Sequence, residues 1–296
     1  MNDLKRHAIV LTLLVWLTAL LWPSYSRRPA LDVWMLDVGQ GESMLLREPG
    51  GQLLLYDGGP NDLVLSRLGN LLPPWQRHID LVILSHTHVD HIRGLIDVLD
   101  RYRVGQVWVS GAFQRDGDYY AFTDAVAKSK TPVKTVWFNQ KTCGLTPETC
   151  PAASRFGKAT IQIYHPLEDM QGMSPHDAHD ATVSAMVRLN EQSVFLTGDL
   201  NEGHERDMLS ACKPPFCSLQ AGILQVPHHG STSGLLPAFL AAVKPNEAWI
   251  SVGQPNPYHH PRQEIIDRLK QADVPTYRTD RDGTIHRVLA SARGSP

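Results

Sequence analysis

Apolar and polar positions along the chain fall into short blocks whose period shifts between two and about 3.6. Leu31–Leu36 and Ser43–Arg47 read as strands joined across the tight Gly39-Gln40-Gly41 turn, and Gln52–Tyr56 reads as a third strand ending at Asp57-Gly58-Gly59. Asp62–Leu72 takes up a helical period, and Pro73-Pro74 stops it. Asp80–Leu84 reads as a buried strand, Ile92–Tyr102 as a helix, Gln106–Val109 as a strand and Tyr119–Lys128 as a helix. Asn139–Phe156 has no period and reads as irregular. Strands are expected at Thr160–Tyr164, Thr182–Leu189 and Ser193–Leu196, then a helix at Glu202–Ser210. Strand Ile223–Val226, helix Leu235–Val243, strand Glu247–Ser251 and helix Gln263–Gln271 follow, and Thr276–Thr279 and Gly283–Val288 close the chain as strands. No repeat interrupts this order. A strand meander followed by alternating strands and helices predicts an α/β protein, with sheets packed face to face and helices outside: an αββα sandwich.

One block stands apart. Lys5 and Arg6 precede an apolar run from Ala8 to Trp22, closed by Pro23, which is the shape of a signal peptide or signal anchor. The run is shorter than the roughly 20 apolar residues of a comfortable spanning helix. Ser24 and Ser26 make a weak cleavage site, and Arg27 follows directly. Residues 1–28 are therefore expected to form one N-terminal hydrophobic helix, a membrane anchor or a cleaved signal, ahead of a single folded domain over 29–296. Arg27 and Arg28 balance Lys5 and Arg6, so the orientation stays open.

Composition adds two constraints. The chain is 42% hydrophobic and 20% charged with a formal net charge of -2, enough for a sizeable core and without a global pull toward nucleic acid. Four cysteines fall in two close pairs, Cys143/Cys150 and Cys212/Cys217. Each pair suits a small disulfide loop in an oxidising compartment. A zinc site would need both pairs to meet, and neither has the short C-x2-C spacing; four reduced cysteines are the plain alternative.

The fourteen histidines cluster. Ser85-His86-Thr87-His88-Val89-Asp90-His91 leaves the end of a buried strand. Three imidazoles and a carboxylate crowded at this spacing are costly for a core and natural for divalent metal, which takes these donor types. A lone histidine would more simply be a satisfied polar residue; four ligand-type residues in H-x-H-x-D-H order are not lone.

With these residues in view, the chain resembles the metallo-β-lactamase-fold superfamily, whose signature is matched by His86-x-His88-x-Asp90-His91-x-x-Gly94. Further words narrow the resemblance: Leu36-Asp37-Val38-Gly39-Gln40-Gly41-Glu42-Ser43, Tyr56-Asp57-Gly58-Gly59, Leu196-Thr197-Gly198-Asp199, Val226-Pro227-His228-His229-Gly230-Ser231, Tyr258-His259-His260-Pro261 and Tyr277-Arg278-Thr279-Asp280. In this order they are similar to the C-terminal hydrolase domain of ComEC competence proteins, over about residues 31–288. Those proteins carry a long multi-spanning channel domain ahead of the hydrolase, where one hydrophobic segment stands here. The chain is then expected to be a stand-alone relative, a partner to a separate channel protein, or a fragment.

The resemblance implies two divalent ions, Zn2+ or Mn2+. His86 and His88 are expected to hold the first, and Asp90 and His91 the second, with Asp199 bridging; a turn aspartate is the bland alternative for Asp199. His228 or His229 completes the second ion. Adjacent side chains after a strand point opposite ways, so one of the two is expected to face the metal. His179 either restores a ligand to the first ion or is an exposed loop residue. Asp57 is expected to orient the site by hydrogen bonding rather than ligation. His260 either donates a proton to the leaving oxygen or contacts the phosphate, and Asp90 also steers the proton of the attacking water. Ser231 and Thr232 could hydrogen-bond a phosphate but, following glycine, are more simply turn or helix-cap residues; Arg278 and Arg281 are equally phosphate neighbours or surface charges.

The function these expectations describe is metal-assisted hydrolysis of a phosphoester, as in a ComEC-like nuclease linked to DNA uptake. Its substrate would be nucleic acid or another phosphodiester. The protein would be anchored in the inner membrane by its N-terminal segment, with the catalytic domain periplasmic or extracellular, or secreted if that segment is cleaved. Two rivals remain: hydrolysis of a small or envelope-derived substrate such as a phosphocholine ester, nucleotide or lactone, and a non-catalytic accessory subunit of a channel.

Overall fold

The computed structural model describes residues 30–138, 153–213 and 217–290, together with the isolated positions 7 and 12. The expected N-terminal hydrophobic helix and the Cys143/Cys150 pair lie outside these residues. Among the described residues, no helix is long and apolar enough to cross a membrane.

Strands β1 (Ala30–Met35), β2 (Met44–Arg47), β3 (Leu53–Tyr56), β4 (His78–Ile83), β5 (Arg103–Val109) and β6 (Val133–Thr135) form one sheet. The last strand, β14 (Ile285–Ala290), returns to its edge, giving the order β14-β1-β2-β3-β4-β5-β6. The second sheet runs β13 (Thr276–Arg278), β12 (Glu247–Ile250), β11 (Ile223–Gln225), β10 (Gln192–Leu196), β9 (Ser184–Leu189), β8 (Ala159–His165), β7 (Ala153–Phe156). In each sheet a meander of antiparallel pairs passes into parallel strands, at β3–β4 in the first and β10–β11 in the second.

Alternation sorts the side chains into layers. Leu31, Val33 and Met35, with Leu46, Leu54 and Tyr56, face the second sheet and meet Ile161, Val187, Leu196 and Trp249. The intervening Trp34, Leu45, Leu53 and Leu55 face the helices, so both faces of these strands are apolar. Helices α1 (Leu63–Leu71), α2 (Val89–Arg101) and α3 (Gly117–Ser129) cover the first sheet through Val64, Leu68, Leu95, Val98 and Phe122. Helices α4 (Glu202–Ala211), α5 (Pro237–Val243) and α6 (Gln263–Gln271) cover the second through Met208, Phe239, Leu240, Ile265 and Leu269. The expected αββα sandwich is the observed architecture.

Three local expectations change. Helix α2 begins at Val89 rather than Ile92. Its first turn is polar on the side that carries Asp90, where the helix dipole favours an anion, so apolar spacing alone starts it late. Ala153–Phe156, expected to be irregular, is edge strand β7 paired to β8, and β6 on the other sheet was unmarked in the sequence. Both are short and bonded on one side, which leaves little hydrophobic pattern to read. The second cysteine pair is joined as a disulfide, Cys212–Cys217, at the end of α4.

Candidate metal centre

Parallel strands end at the same edge, so the loops that leave them meet. Asp57 follows β3, Ser85 to His91 follow β4, Asp199 follows β10, and His228 and His229 follow β11. His179 comes from a short 3-10 helix, Ala178–Ala181, ahead of β9. Backbone crowding holds the loops together. Gly58 N–H donates to the His91 carbonyl at 2.8 Å and Gly94 N–H to the Gly59 carbonyl at 3.0 Å. A Cβ on Gly58 would lie 2.7 Å from the carbonyl carbon of Gly94, so the close approach requires glycine. Gly198 has φ +56°, and a side chain there would meet Thr182 and the Tyr56 hydroxyl at 2.8 Å.

Asp199 lies at the centre. Its Oδ2 is 3.9 Å from His86 Nε2, 3.7 Å from His179 Nε2 and 3.6 Å from His228 Nε2. Its Oδ1 is 3.4 Å from His91 Nε2 and 3.8 Å from His229 Nε2. Asp90 Oδ2 closes the second side, 3.3 Å from His229 Nε2 and 3.8 Å from His91 Nε2. Four overlapping groups result, each with ligand atoms within 4.8 Å of one another: His86/His88/His179, His86/His91/Asp199, Asp90/His91/His229 and His179/Asp199/His228.

These residues fit divalent cations. The gaps between Asp199 and the imidazoles are longer than hydrogen bonds. Meanwhile His91 Nε2, His179 Nε2, His229 Nε2 and Asp199 Oδ1 are buried with no hydrogen-bond partner. Two donors each about 2.1 Å from one ion at a tetrahedral angle lie about 3.4 Å apart, so spacings of this size suit a shared cation.

The outer nitrogens are tied down, which turns the inner ones toward Asp199. His91 Nδ1 donates to Asp57 Oδ2 at 2.7 Å and His229 Nδ1 to the Ser251 carbonyl at 2.9 Å. His179 Nδ1 donates to Asp177 Oδ1 at 2.5 Å, while His228 Nδ1 pairs with Ser233 Oγ at 2.9 Å and His86 Nδ1 with Ser85 Oγ at 3.0 Å. Asp57 also accepts from Ser85 N and Ser85 Oγ, at 2.7 and 2.6 Å. It touches the rings only through their outer atoms.

The electrostatics follow from crowding opposite charges in a buried space. Burial works against ionisation of Asp199, but His91 and His229 hold its carboxyl well below the usual range. Asp90 is held down in the same way by His91 and His229. Burial also opposes protonation of His229, yet Asp199 and Asp90 raise it to about 9. His86 is pushed well down by burial and by the charge on His91. Burial and the charges on His229 and His228 lower His260 to about 4.

All eight candidate ligands, His86, His88, Asp90, His91, His179, Asp199, His228 and His229, converge on this pocket. His228 and His229 both line it, although adjacent side chains after a strand point opposite ways: their backbones are left-handed, with φ 50° and 54°, and strand alternation applies only to extended backbone. His229 joins Asp90 and His91, while His228 lies on the side of His179. His260 lines the same pocket, together with Gln40, Val89 and Tyr258. Arg278 is engaged by Asp280, with Nη2 2.7 Å from its Oδ2, and the Ser231 hydroxyl accepts from Ser233. Sequence reading missed Glu42 and Gln225. Both are fully buried beside the centre, and Gln225 Nε2 donates to Glu42 Oε2 at 3.1 Å. A polar residue inside the apolar run Ile223–Val226 was the available signal for Gln225.

The fold and the ligand groups agree with what the chain matches. The profile described as the metallo-beta-lactamase superfamily matches residues 36–254. ComE operon protein 3 of Bacillus subtilis is 24% identical over 90% of this chain and 34% of its own length. Competence protein ComA of Neisseria gonorrhoeae is 24% identical over 86% of this chain and 32% of its own length. The chain thus spans about a third of the length of these relatives. Among solved structures, Tm1679, a metal-dependent hydrolase of the beta-lactamase superfamily, superposes with TM-score 0.56 at 14% identity, covering 88% of this chain and all of that one. Igni18, a metallo hydrolase of Ignicoccus hospitalis, superposes with TM-score 0.54 at 11% identity over 86% of this chain and 98% of its own. With the family profile matched across both sheets and His/Asp groups able to hold metal at their shared edge, this chain belongs to the metallo-beta-lactamase superfamily, as a metal-dependent hydrolase resembling the C-terminal domain of ComEC proteins.

Proposed function

We propose that the chain is a ComEC-like phosphodiesterase acting on nucleic acid with two divalent ions, Zn2+ or Mn2+. His86, His88 and His179 would hold one ion and Asp90, His91 and His229 the other, with the Asp199 carboxylate lying between the two sets. The observation that carries this reading is the division of Asp199: Oδ2 faces His86 and His179, and Oδ1 faces His91 and His229. Divalent ions bound there would make water acidic enough to attack at neutral pH and draw charge from a phosphoryl oxygen. The Asp90 carboxyl, on the pocket wall and held low in pKa by His91 and His229, would steer the proton of the attacking water. His260 lines the same pocket, where it would donate a proton to the leaving oxygen or contact the phosphate.

The apolar run Ala8–Trp22 would tether the catalytic domain at the inner membrane, on the periplasmic or extracellular side. The Cys212–Cys217 disulfide supports an oxidising compartment. The printed name of one relative, competence protein ComA, supports a place in DNA uptake, where the chain would act beside a separate channel protein. The cavity at the centre is about 340 Å³, room for one phosphodiester group of either a nucleic acid or a smaller substrate.

Purified chain loaded with Mn2+ or Zn2+ is expected to cleave single-stranded DNA, with His88→Ala inactive. Turnover of bis-p-nitrophenyl phosphate without DNA cleavage would reassign the enzyme to small phosphodiesters. A chain that takes up no metal would leave only the accessory role.

A further inference from the structure

The two ligand-bearing halves of the centre belong to different sheets, so something must set the distance between them. The loop Gln40 to Ser43, between β1 and β2, reaches both. On the side of the first sheet, Glu42 N–H donates to the Asp90 carbonyl at 3.0 Å and Ser43 Oγ donates to the Asp57 carbonyl at 3.0 Å. On the side of the second, Ser251 Oγ donates to the Gly41 carbonyl at 2.6 Å, and the Ser251 carbonyl in turn receives His229 Nδ1–H. Gly253 N–H donates to Gln40 Oε1 at 3.2 Å, and the Glu42 side chain makes a further link, to Gln225 on β11.

Gln225 acts as a clamp on the turn that carries Asp199. Its Oε1 accepts from Thr197 N at 2.6 Å and from Gly198 N at 2.8 Å, and its Nε2 reaches the Gly198 carbonyl at 3.3 Å. An amide side chain can rotate about its last bond and exchange oxygen for nitrogen. The Glu42 carboxyl accepts from Nε2 and so locks the orientation in which Oε1 meets the two backbone donors. Both residues are 0% exposed, so neither bond is replaced by water.

We propose that Glu42 is a positioning residue of the metal centre: through Gln225 it holds the Thr197-Gly198-Asp199 turn in register with the Asp90-His91 half. The inference rests on the reading of the centre as metal-binding, and not on its substrate. A residue that touches no ion but orients one that does is expected to change metal affinity, whereas a plain core pair would change stability alone.

The test compares zinc affinity of the metal-stripped full chain, by competition with a chromophoric chelator, for wild type, Glu42→Met, Gln225→Met, the double variant and Glu42→Gln. Methionine keeps the length and removes the hydrogen bonds. Glu42→Met and Gln225→Met should each lower affinity about 10–100-fold. The double variant should match Gln225→Met within about twofold, since Glu42 has nothing to act through once the amide is gone. Glu42→Gln keeps an acceptor and should remain near wild type. Hydrogen exchange in the metal-free chain adds a second readout, with the Thr197–Gly198 amides exchanging faster in Glu42→Met. Unchanged zinc affinity in folded Glu42→Met, or losses that multiply in the double variant, would overturn the inference. If methionine at 225 prevents folding, Glu42→Met against Glu42→Gln decides by the same criteria. A wild-type chain that binds no zinc would instead remove the metal reading on which this rests.

Discussion

Asp57 and His91 share a 2.7 Å hydrogen bond in which both side chains are fully buried, and the bond leaves His91 Nε2 facing Asp199. The tautomer of a ligating imidazole is set by the acceptor on its far nitrogen. Asp57 sits at φ 58°, a left-handed conformation that asparagine also tolerates, so Asp57→Asn is compatible with the backbone. It is expected to lower metal affinity about 10–100-fold with little loss of fold, since the amide can donate to Nδ1 and shift the proton to Nε2. Metal content per folded protein checks this. Undiminished loading would show that Asp57 serves the loop and not the ligand.

Both sheets were legible because their strands carry apolar residues at a period of two. The short polar edges β6 and β7 were not. At the site, Ser85–His91 announced itself because its ligands are neighbours in the chain. The side on which His228 and His229 lie depends on two successive left-handed residues, a backbone feature with no sequence period. Glu42 and Gln225, 183 positions apart, become partners only when the two sheets close face to face.

A second prediction concerns acid stability. His165 is 5% exposed, donates from Nδ1 to the Thr182 carbonyl at 2.6 Å, and packs 4.5 Å from the ring of His204. Burial, with the nearby charge of His204, lowers its pKa to about 3. An unfolded histidine titrates near 6.5, so the unfolded chain binds the extra proton between these values. The contribution of His165 is therefore complete above about pH 6.5 and is lost as pH falls toward 3. Measured by urea unfolding in chelator, His165→Phe should start about 1 kcal/mol less stable at pH 7.5, for the lost hydrogen bond. It should then decline less steeply on acidification, by up to about 1.4 kcal/mol per pH unit. Parallel curves for the two proteins would rule out His165 as the titrating group.

Metal loading should displace protons. In the metal-free centre His229 is raised to about 9 and His91 stands above its ordinary value, both through Asp199 and Asp90 acting against burial. His179 is raised as well, by Asp199 and Asp177 acting against burial; a divalent ion binds imidazole only after the proton leaves, so loading at pH 7 should release about two to three protons. Calorimetric titration in two buffers of different ionisation enthalpy measures the number. Chelation should also lower the melting temperature, because an ion at about a thousand times its dissociation constant stabilises the fold by about 4 kcal/mol. Buffer-independent heats would mean that the imidazoles are already neutral.

Tyr258 tests the substrate. Its ring is 57% exposed at the rim of the metal pocket and stacks on His260, with centroids 5.9 Å apart and planes 28° from parallel. If the substrate is single-stranded nucleic acid, this exposed aromatic beside the metal centre offers a face to a nucleobase, worth about 1–3 kcal/mol per stacked base. Tyr258→Ala should then raise KM for a single-stranded oligonucleotide about 5–100-fold with kcat and metal content unchanged. Tyr258→Trp should restore it, because a larger ring still stacks. A fall in kcat at constant KM would point elsewhere: the ring would be orienting His260 against the phosphate, and tryptophan, unable to seat in the same contact, would fail to rescue.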